Sequence, residues 1–127
     1  MSTLSAHDIQ VRLGGKPVVA GVAATLQSGT VTAILGPNGA GKSTLLACLA
    51  GLRKPGAGHV RLDAVDVLSM PARARARRIG FIPQTPEVAW AVEARILVGL
   101  GRTPFIGSSG LSLEDGAAID RAMEAAG

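Results

Sequence analysis

The chain has 127 residues, a formal net charge of +4 and a 47% share of hydrophobic residues, which is typical of one globular domain. No apolar run approaches the roughly 18 residues of a membrane-spanning helix. Residues 1–10 show no basic start followed by an apolar core, so the sequence predicts a cytoplasmic protein without a secretory signal.

The chain opens with a predicted β-hairpin. Ile9–Leu13 alternates apolar and polar residues, and Gly14-Gly15 follows as a tight turn. Val22–Leu26 alternates less cleanly and stops before Gly29. These segments predict two antiparallel strands.

A buried strand and a helix are predicted on either side of a glycine-rich loop. Thr30–Leu35 is a short β-branched, apolar run, which predicts a buried strand. Lys42–Leu52 carries leucines at helical spacing, which predicts a helix whose positive N-terminal end faces the loop. Cys48, the only cysteine, lies on this helix and is predicted to be a buried small hydrophobe.

The loop itself fits the pattern G-x-x-x-x-G-K-[ST]. Small residues can turn successive backbone N–H groups toward the closely spaced oxygens of a triphosphate. Lys42 is expected to reach the β- and γ-phosphates, Ser43 to coordinate Mg²⁺, and Thr44 to donate to an inner phosphate. The alternative is a glycine-rich turn that contains Lys-Ser by chance. The predicted phosphate-binding residues are Gly36, Asn38, Gly39, Ala40, Gly41, Lys42, Ser43 and Thr44.

Two further strands are predicted in the middle of the chain. Gly58–Asp63 alternates, and Arg78–Gln84 has an apolar centre that indicates burial and ends at a proline, with Thr85-Pro86 predicted as a loop. His7 and His59 have no metal-ligand spacing, and each is predicted to be a strand-end residue without a functional role.

The excess of positive over negative charge lies mostly in one predicted helix after Pro71. A solvated helix face is the favoured interpretation, because aromatic residues that could stack on bases make up only 2% of the chain. Nucleic-acid binding is therefore disfavoured. The basic residues of this helix are Arg73, Arg75, Arg77 and Arg78.

The last third of the chain predicts two helices. Ala91–Leu100 is the first, and a loop from Gly101 to Gly110 follows. Ser112–Asp115 resembles a capping box with Asp in place of Glu, and a second helix is expected to run from Leu113 toward Ala126. The acidic residues of this helix, Glu114, Asp115, Asp120 and Glu124, are predicted to be ordinary surface charge.

The chain resembles the ATP-binding cassette (ABC) ATPase domain, a P-loop NTPase of the α/β class. Its residues 77–84, 92–93 and 101–105 also resemble one branch, the ATP-binding subunits of importers for iron-siderophore, haem and cobalamin. The motifs that carry the family resemblance are Gly36–Leu46, Gly51-Leu52, Pro55, Gly58 and Ile82-Pro83-Gln84.

The resemblance implies ATP and Mg²⁺ as cofactors, membrane permease subunits as partners, a homodimer, and a position on the inner face of the cell membrane. Lys42 and Gln84 would be catalytic, and Ser43 and Gln84 would contact the metal. Gln84 would be the glutamine that links nucleotide state to the membrane subunits. The region from Gln84 to Trp90 would face those subunits, so Trp90 is expected to be either an interface anchor or a core tryptophan. Residues 1–90 would be the N-terminal part of the ATP-binding core, and residues 91–127 the start of a helical subdomain.

Two departures from the family pattern matter. Leu13 stands where the family usually has an aromatic residue that stacks on adenine, so we expect weak base recognition. The chain also contains no LSGGQ-like signature, no metal-organising Asp with a catalytic Glu after an apolar strand, and no switch histidine. We therefore expect an N-terminal half with an antiparallel hairpin and an incomplete central sheet, which lacks turnover.

Two other classes of protein stay open at this point. One is a small P-loop kinase or GTPase, although the sequence has no Asn/Thr-Lys-x-Asp motif for guanine. The other is a non-enzymatic remnant that binds nucleotide or nothing.

Overall fold

An antiparallel sheet organises the first part of the chain. The computed structural model describes residues 1–84 and 90–127, which divide into two units, 1–75 and 76–127. In the first unit the spatial order of the strands is β2-β1-β3-β4, and all pairs are antiparallel. The strands are β1 Thr3–Leu13, β2 Lys16–Gln27, β3 Ala57–Leu62 and β4 Val65–Asp66.

The predicted hairpin is confirmed, with both strands longer than expected. Gly14 and Gly15 connect β1 to β2 with φ angles of 56° and 80°. Two successive positive φ angles match the twist of the flanking strands, and glycine adopts them without a Cβ penalty. The predicted strand at Gly58–Asp63 is also confirmed, as β3.

The core of the first unit lies between the sheet and helix α1, Lys42–Leu49. Cys48 is buried as predicted, and burial raises the pKa of its thiol. The helix ends three residues before the predicted Leu52, because Gly51 has a φ of 72°. The N–H groups of Gly51 and Leu52 donate to the carbonyls of Cys48 and Ala47 at 3.0 and 2.9 Å, which is a Schellman ending.

The predicted buried strand at Thr30–Leu35 is wrong. The segment has no strand hydrogen bonding, and Val31 and Leu35 are 100% and 90% exposed. A β-strand needs a neighbour that pairs its backbone N–H and C=O groups. Within the described residues, no strand of the sheet pairs with this segment, so it runs along the surface.

The predicted buried strand at Arg78–Gln84 is wrong for the same reason. These residues have no strand hydrogen bonding, and Ile82 is 88% exposed. The predicted loop at Thr85-Pro86 lies outside the described residues.

The second unit is helical. Helix α2, Ala72–Ala76, lies at the boundary between the units, and only its last residue belongs to the second unit. Within the second unit, α3, Ala94–Gly99, continues into a 3₁₀ helix at Leu100–Phe105. The predicted loop that starts at Gly101 is therefore helical through its first half, with Pro104 inside the 3₁₀ turn. Helix α4, Leu113–Ala126, is confirmed. The predicted division of the chain at residues 90 and 91 stays a prediction.

Helix α4 begins with the predicted capping box. The Asp115 N–H donates to Ser112 Oγ at 3.1 Å, and the Ser112 N–H donates to Asp115 Oδ2 at 2.9 Å. The description of Asp115 as ordinary surface charge is wrong, because the residue is 3% exposed and accepts a hydrogen bond from Arg102 Nε at 2.8 Å. Arg102 in turn lies over the ring of Phe105, 4.3 Å from its centre.

Those contacts lower the pKa of the Asp115 carboxyl. The main cause is the Ser112 backbone N–H, followed by the Arg102 guanidinium, and the Ser112 hydroxyl contributes as well. All three groups stabilise the ionised form.

The basic helix is less uniformly solvated than predicted. Arg75 is half-buried and donates to the Val67 carbonyl at 3.1 Å within the first unit. Arg77 is exposed, and its Nε donates to the Pro104 carbonyl at 2.7 Å within the second unit. Arg75 and Arg77 therefore each bind the chain's own backbone.

Candidate phosphate-binding site

Two glycines with left-handed backbones shape the loop that precedes α1. Gly39 has a φ of 83° and Gly41 a φ of 86°. A Cβ atom on Gly41 would lie 2.4 Å from the carbonyl oxygen of Val18 on β2, which is well inside van der Waals contact. Glycine is therefore required at position 41 both by the backbone angle and by the close approach of β2.

The N-terminal end of α1 presents backbone donors. The N-cap residue Gly41 has no side chain that could cap the helix, and the first turn carries no acidic residue. The first intrahelical bond runs from the Leu45 N–H to the Gly41 carbonyl at 2.9 Å. The N–H groups of Lys42, Ser43 and Thr44 therefore lie before the first α-helical hydrogen bond, at the positive end of the helix dipole. An anion is the natural partner of such an arrangement.

The Lys42 side chain folds back over the loop. Its Nζ donates to the carbonyl of Gly36 and to the carbonyl of Pro37, the latter at 2.8 Å. The loop carbonyls thus hold the ammonium group at the loop itself. A positive side chain and a row of backbone donors come together within about nine residues of sequence.

The remaining predicted loop residues suit a small, solvent-accessible ligand. Asn38, Gly39 and Ala40 are exposed, Ser43 is exposed, and Thr44 is half-buried. An exposed serine hydroxyl at a helix start fits Mg²⁺, which keeps most of its waters and takes few protein ligands. All eight predicted loop residues lie in one continuous stretch of the first unit that leads into α1, and their binding of phosphate and Mg²⁺ stays a prediction.

Gln84 belongs to the second unit and is exposed in a bend. The role of Gln84 stays a prediction. Sequence reasoning missed the Val18 carbonyl, which lies 2.4 Å from the ideal Cβ position of Gly41. No signal in the sequence of β2 marks that approach.

The sequence pattern of a family described as "ABC transporter" matches residues 19–127. The chain belongs to the ABC transporter family. This membership confirms the predicted resemblance to the ABC ATPase domain. It also excludes the alternative that the chain is a small P-loop kinase or GTPase.

Curated relatives are hemin import ATP-binding proteins named HmuV. The protein of Bordetella parapertussis is 43% identical over 103 residues, which cover 81% of this chain and 39% of that protein. The protein of Bordetella avium is 36% identical over 125 residues, which cover 98% of this chain and 47% of that protein. The chain thus spans between two fifths and one half of the length of these relatives.

A solved structure of a nucleotide-free ATP-binding cassette from an ABC transporter is similar as well. The TM-score is 0.55 at 31% identity, over 61% of this chain and 30% of that one. The similarity confirms the predicted fold class, a P-loop NTPase of the ABC ATPase type. In the part of the chain that the structure describes, no helix is long and apolar enough to cross a membrane.

Proposed function

We propose that this chain is the ATP-binding part of an importer that couples ATP hydrolysis to the uptake of haem. The observation that carries the proposal is the phosphate loop, in which the backbones of Gly39 and Gly41, the start of α1 and the Lys42 ammonium converge. The names of the relatives favour haem over the iron-siderophore and cobalamin alternatives.

Each loop residue has a distinct role in this proposal. The N–H groups at the start of α1 bind phosphate oxygens, and Lys42 exchanges its loop carbonyls for the β- and γ-phosphates. Ser43 offers its hydroxyl to Mg²⁺, which would neutralise charge on the phosphates. Gln84 contacts the metal and reports nucleotide state to the partner subunits.

The proposed partners are membrane permease subunits and a second ATP-binding subunit, at the cytoplasmic face of the membrane. Trp90 is 73% exposed, and an exposed tryptophan is a frequent anchor of protein–protein interfaces. This exposure supports a partner surface at Trp90.

Titration with a non-hydrolysable ATP analogue tests the nucleotide site. We expect Lys42→Ala to weaken binding at least tenfold, about 1.4 kcal/mol, because the positive charge at the phosphates is lost. Removal of Mg²⁺ with EDTA should also weaken binding of the ATP analogue by the parent protein. Lys54→Ala is the matched control, since Lys54 is an exposed lysine beyond α1 and should leave affinity unchanged. Equal binding by the parent and Lys42→Ala would contradict the proposed site.

The same titration with a GTP analogue tests the effect of Leu13, which is 39% exposed and offers no aromatic face. We expect the two affinities to agree within about a hundredfold, or 2.7 kcal/mol. A phosphate-release assay run beside the titration separates a nucleotide-hydrolysing chain from the non-enzymatic alternative.

Growth experiments test the proposed substrate. The gene that encodes this chain would be disrupted in its own organism, and growth would be compared on haem, on a ferric siderophore and on free iron as sole iron sources. Selective loss of growth on haem is the expected result. Loss of growth on the ferric siderophore alone would favour a siderophore as the substrate. A new growth requirement for cobalamin would favour cobalamin.

A further inference from the structure

The only two histidines of the chain lie side by side on neighbouring strands. His7 on β1 is the direct partner of His59 on β3 in the antiparallel register. Their rings are stacked, with centres 4.8 Å apart and planes inclined by 21°. Both were predicted to be strand-end residues because their spacing in the sequence is not that of metal ligands, and only the strand register brings them together.

The backbone around the pair is held closely. A Cβ atom on Gly58 would lie 2.3 Å from the His7 carbonyl oxygen and 2.2 Å from that of Asp8, so β1 and β3 approach each other here more tightly than side chains would allow. Asp8 has a φ of 47°, and the register shifts after His7. A bulge of this kind fixes where neighbouring side chains point.

Both imidazoles can reach an incoming ligand. His7 is exposed and His59 is half-buried. Nε2 of His7 lies 3.1 Å from the hydroxyl oxygen of Ser5, and this contact lies at the surface. Turning an imidazole about its last side-chain bond is inexpensive, because that torsion has a broad minimum.

The ring separation matches that of a chelating pair. A metal-bound imidazole nitrogen lies about 2.0–2.1 Å from the metal. With about 1.1 Å from nitrogen to ring centre and ligand angles of about 90–110°, the two ring centres of a bidentate site lie about 4.5–5.2 Å apart. The observed 4.8 Å falls inside this range, so the ring centres already have the spacing of a chelating pair. Metal binding would require the rings to rotate out of their stacked arrangement, because a ligand nitrogen binds a metal in the plane of its own ring.

We propose that His7 and His59 form a bidentate surface site for a divalent transition metal of the copper, nickel and zinc group. Imidazole suits these metals, whereas Mg²⁺ and Ca²⁺ prefer oxygen ligands. Among the described residues, no group of three or more His, Cys, Asp or Glu side chains surrounds a common point. Water therefore completes the coordination, and the bound metal exchanges with solution. The site is independent of the proposed nucleotide site.

Copper binding to untagged protein tests the site. We expect one Cu²⁺ per chain by calorimetry, and electron paramagnetic resonance should show hyperfine coupling to two imidazole nitrogens. Zn²⁺ serves as a second probe that does not oxidise Cys48, and it should raise the unfolding temperature because it binds the folded pair.

His7→Phe and His59→Phe are the decisive variants, because each keeps an aromatic ring in the stack and removes the ligand nitrogen. Each should weaken binding at least tenfold, reduce the coupling to one nitrogen and abolish the Zn²⁺-dependent rise in unfolding temperature. Ser5→Ala is the control, since it removes the His7 contact but keeps both imidazoles, and it should retain the affinity. Unchanged binding in either phenylalanine variant, or coupling to a single nitrogen in the parent, would overturn the proposal and leave the pair as a structural stack.

Discussion

Two apolar segments that are close in sequence behave in opposite ways. In β1, Val11 is 3% exposed and pairs directly with Val19 of β2. In the segment Thr30–Leu35, Val31 is 100% exposed and no described strand lies beside it. Both segments were predicted to be strands, one from its alternation of apolar and polar residues and the other from its apolar, β-branched run.

The two segments differ in how far along the sequence the nearest possible partner strand lies. β1 meets β2 across a two-residue turn, so pairing costs little loop-closure entropy. The segment at residues 30–35 has no hairpin partner, and a strand there requires a neighbour that is distant in sequence. An apolar run therefore predicts the tendency to form a strand, and the partner decides whether the strand exists.

The largest expected effect concerns the pairing of β1 with β3. We expect Gly58→Ala to lower the free energy of unfolding by about 3 kcal/mol, because its Cβ would meet two backbone oxygens of β1 at 2.2 and 2.3 Å. Gly14→Ala is the matched control, since Gly14 also has a positive φ but has no atom within 4 Å of its ideal Cβ. It should cost only about 1 kcal/mol, the penalty of the left-handed backbone alone. Urea unfolding measures both, and equal costs would show that the strands do not approach this closely.

A pair of valines tests the comparison directly. We expect Val11→Ala to cost about 2 kcal/mol, because it removes buried methyl groups and leaves a cavity between β1 and its neighbours. Val31→Ala makes the same chemical change at a fully exposed position and should cost under about 0.5 kcal/mol. Chemical denaturation of both variants gives the two values. A large cost at Val31 would mean that residues 30–35 are buried in solution and that the contrast with β1 is false.

The sequence predicted what depends on local interactions. The Gly14-Gly15 turn and the capping box at Ser112 involve residues only a few positions apart, and both were located correctly. Features that depend on distant pairing were missed. Nothing in the sequence near Asp115 shows that Arg102 covers it, because the two meet only after the 3₁₀ helix has turned the chain.

The start of helix α4 combines a local contact with a more distant one, because Asp115 is bound by Ser112 of its own capping box and by Arg102 from before the helix. The pKa of the Asp115 carboxyl is lowered in the folded chain, chiefly by the Ser112 N–H and then by Arg102. A carboxyl with a lowered pKa stabilises the fold above its unfolded pKa of about 3.9, and this contribution is lost as the pH falls through the lower folded value.

We therefore expect Asp115→Asn to flatten the acid side of the stability profile. Thermal unfolding between pH 6 and about pH 3 should show a smaller loss in the variant than in the parent. Asp120→Asn is the matched control, since Asp120 is an exposed acid on the same helix that pairs with Arg95 at the surface. A variant profile parallel to that of the parent would mean that the Asp115 contacts are not maintained in solution.

The smallest expected effect is a gain in stability at the turn between β3 and β4. Asp63 and Ala64 have φ angles of 53° and 79°, so a two-residue turn of the same kind as Gly14-Gly15 is made with a Cβ at both positions. Ala64→Gly relieves the left-handed penalty but adds freedom to the unfolded chain, so we expect a net stabilisation of about 0.5 kcal/mol. Ala23→Gly makes the same change in the exposed middle of β2, where φ is negative, and should destabilise by about 0.5–1 kcal/mol. Differential scanning calorimetry should therefore give shifts of opposite sign. A loss of stability in both variants would show that Ala64 does not hold a left-handed backbone, and that β4 is not joined to β3 by this turn.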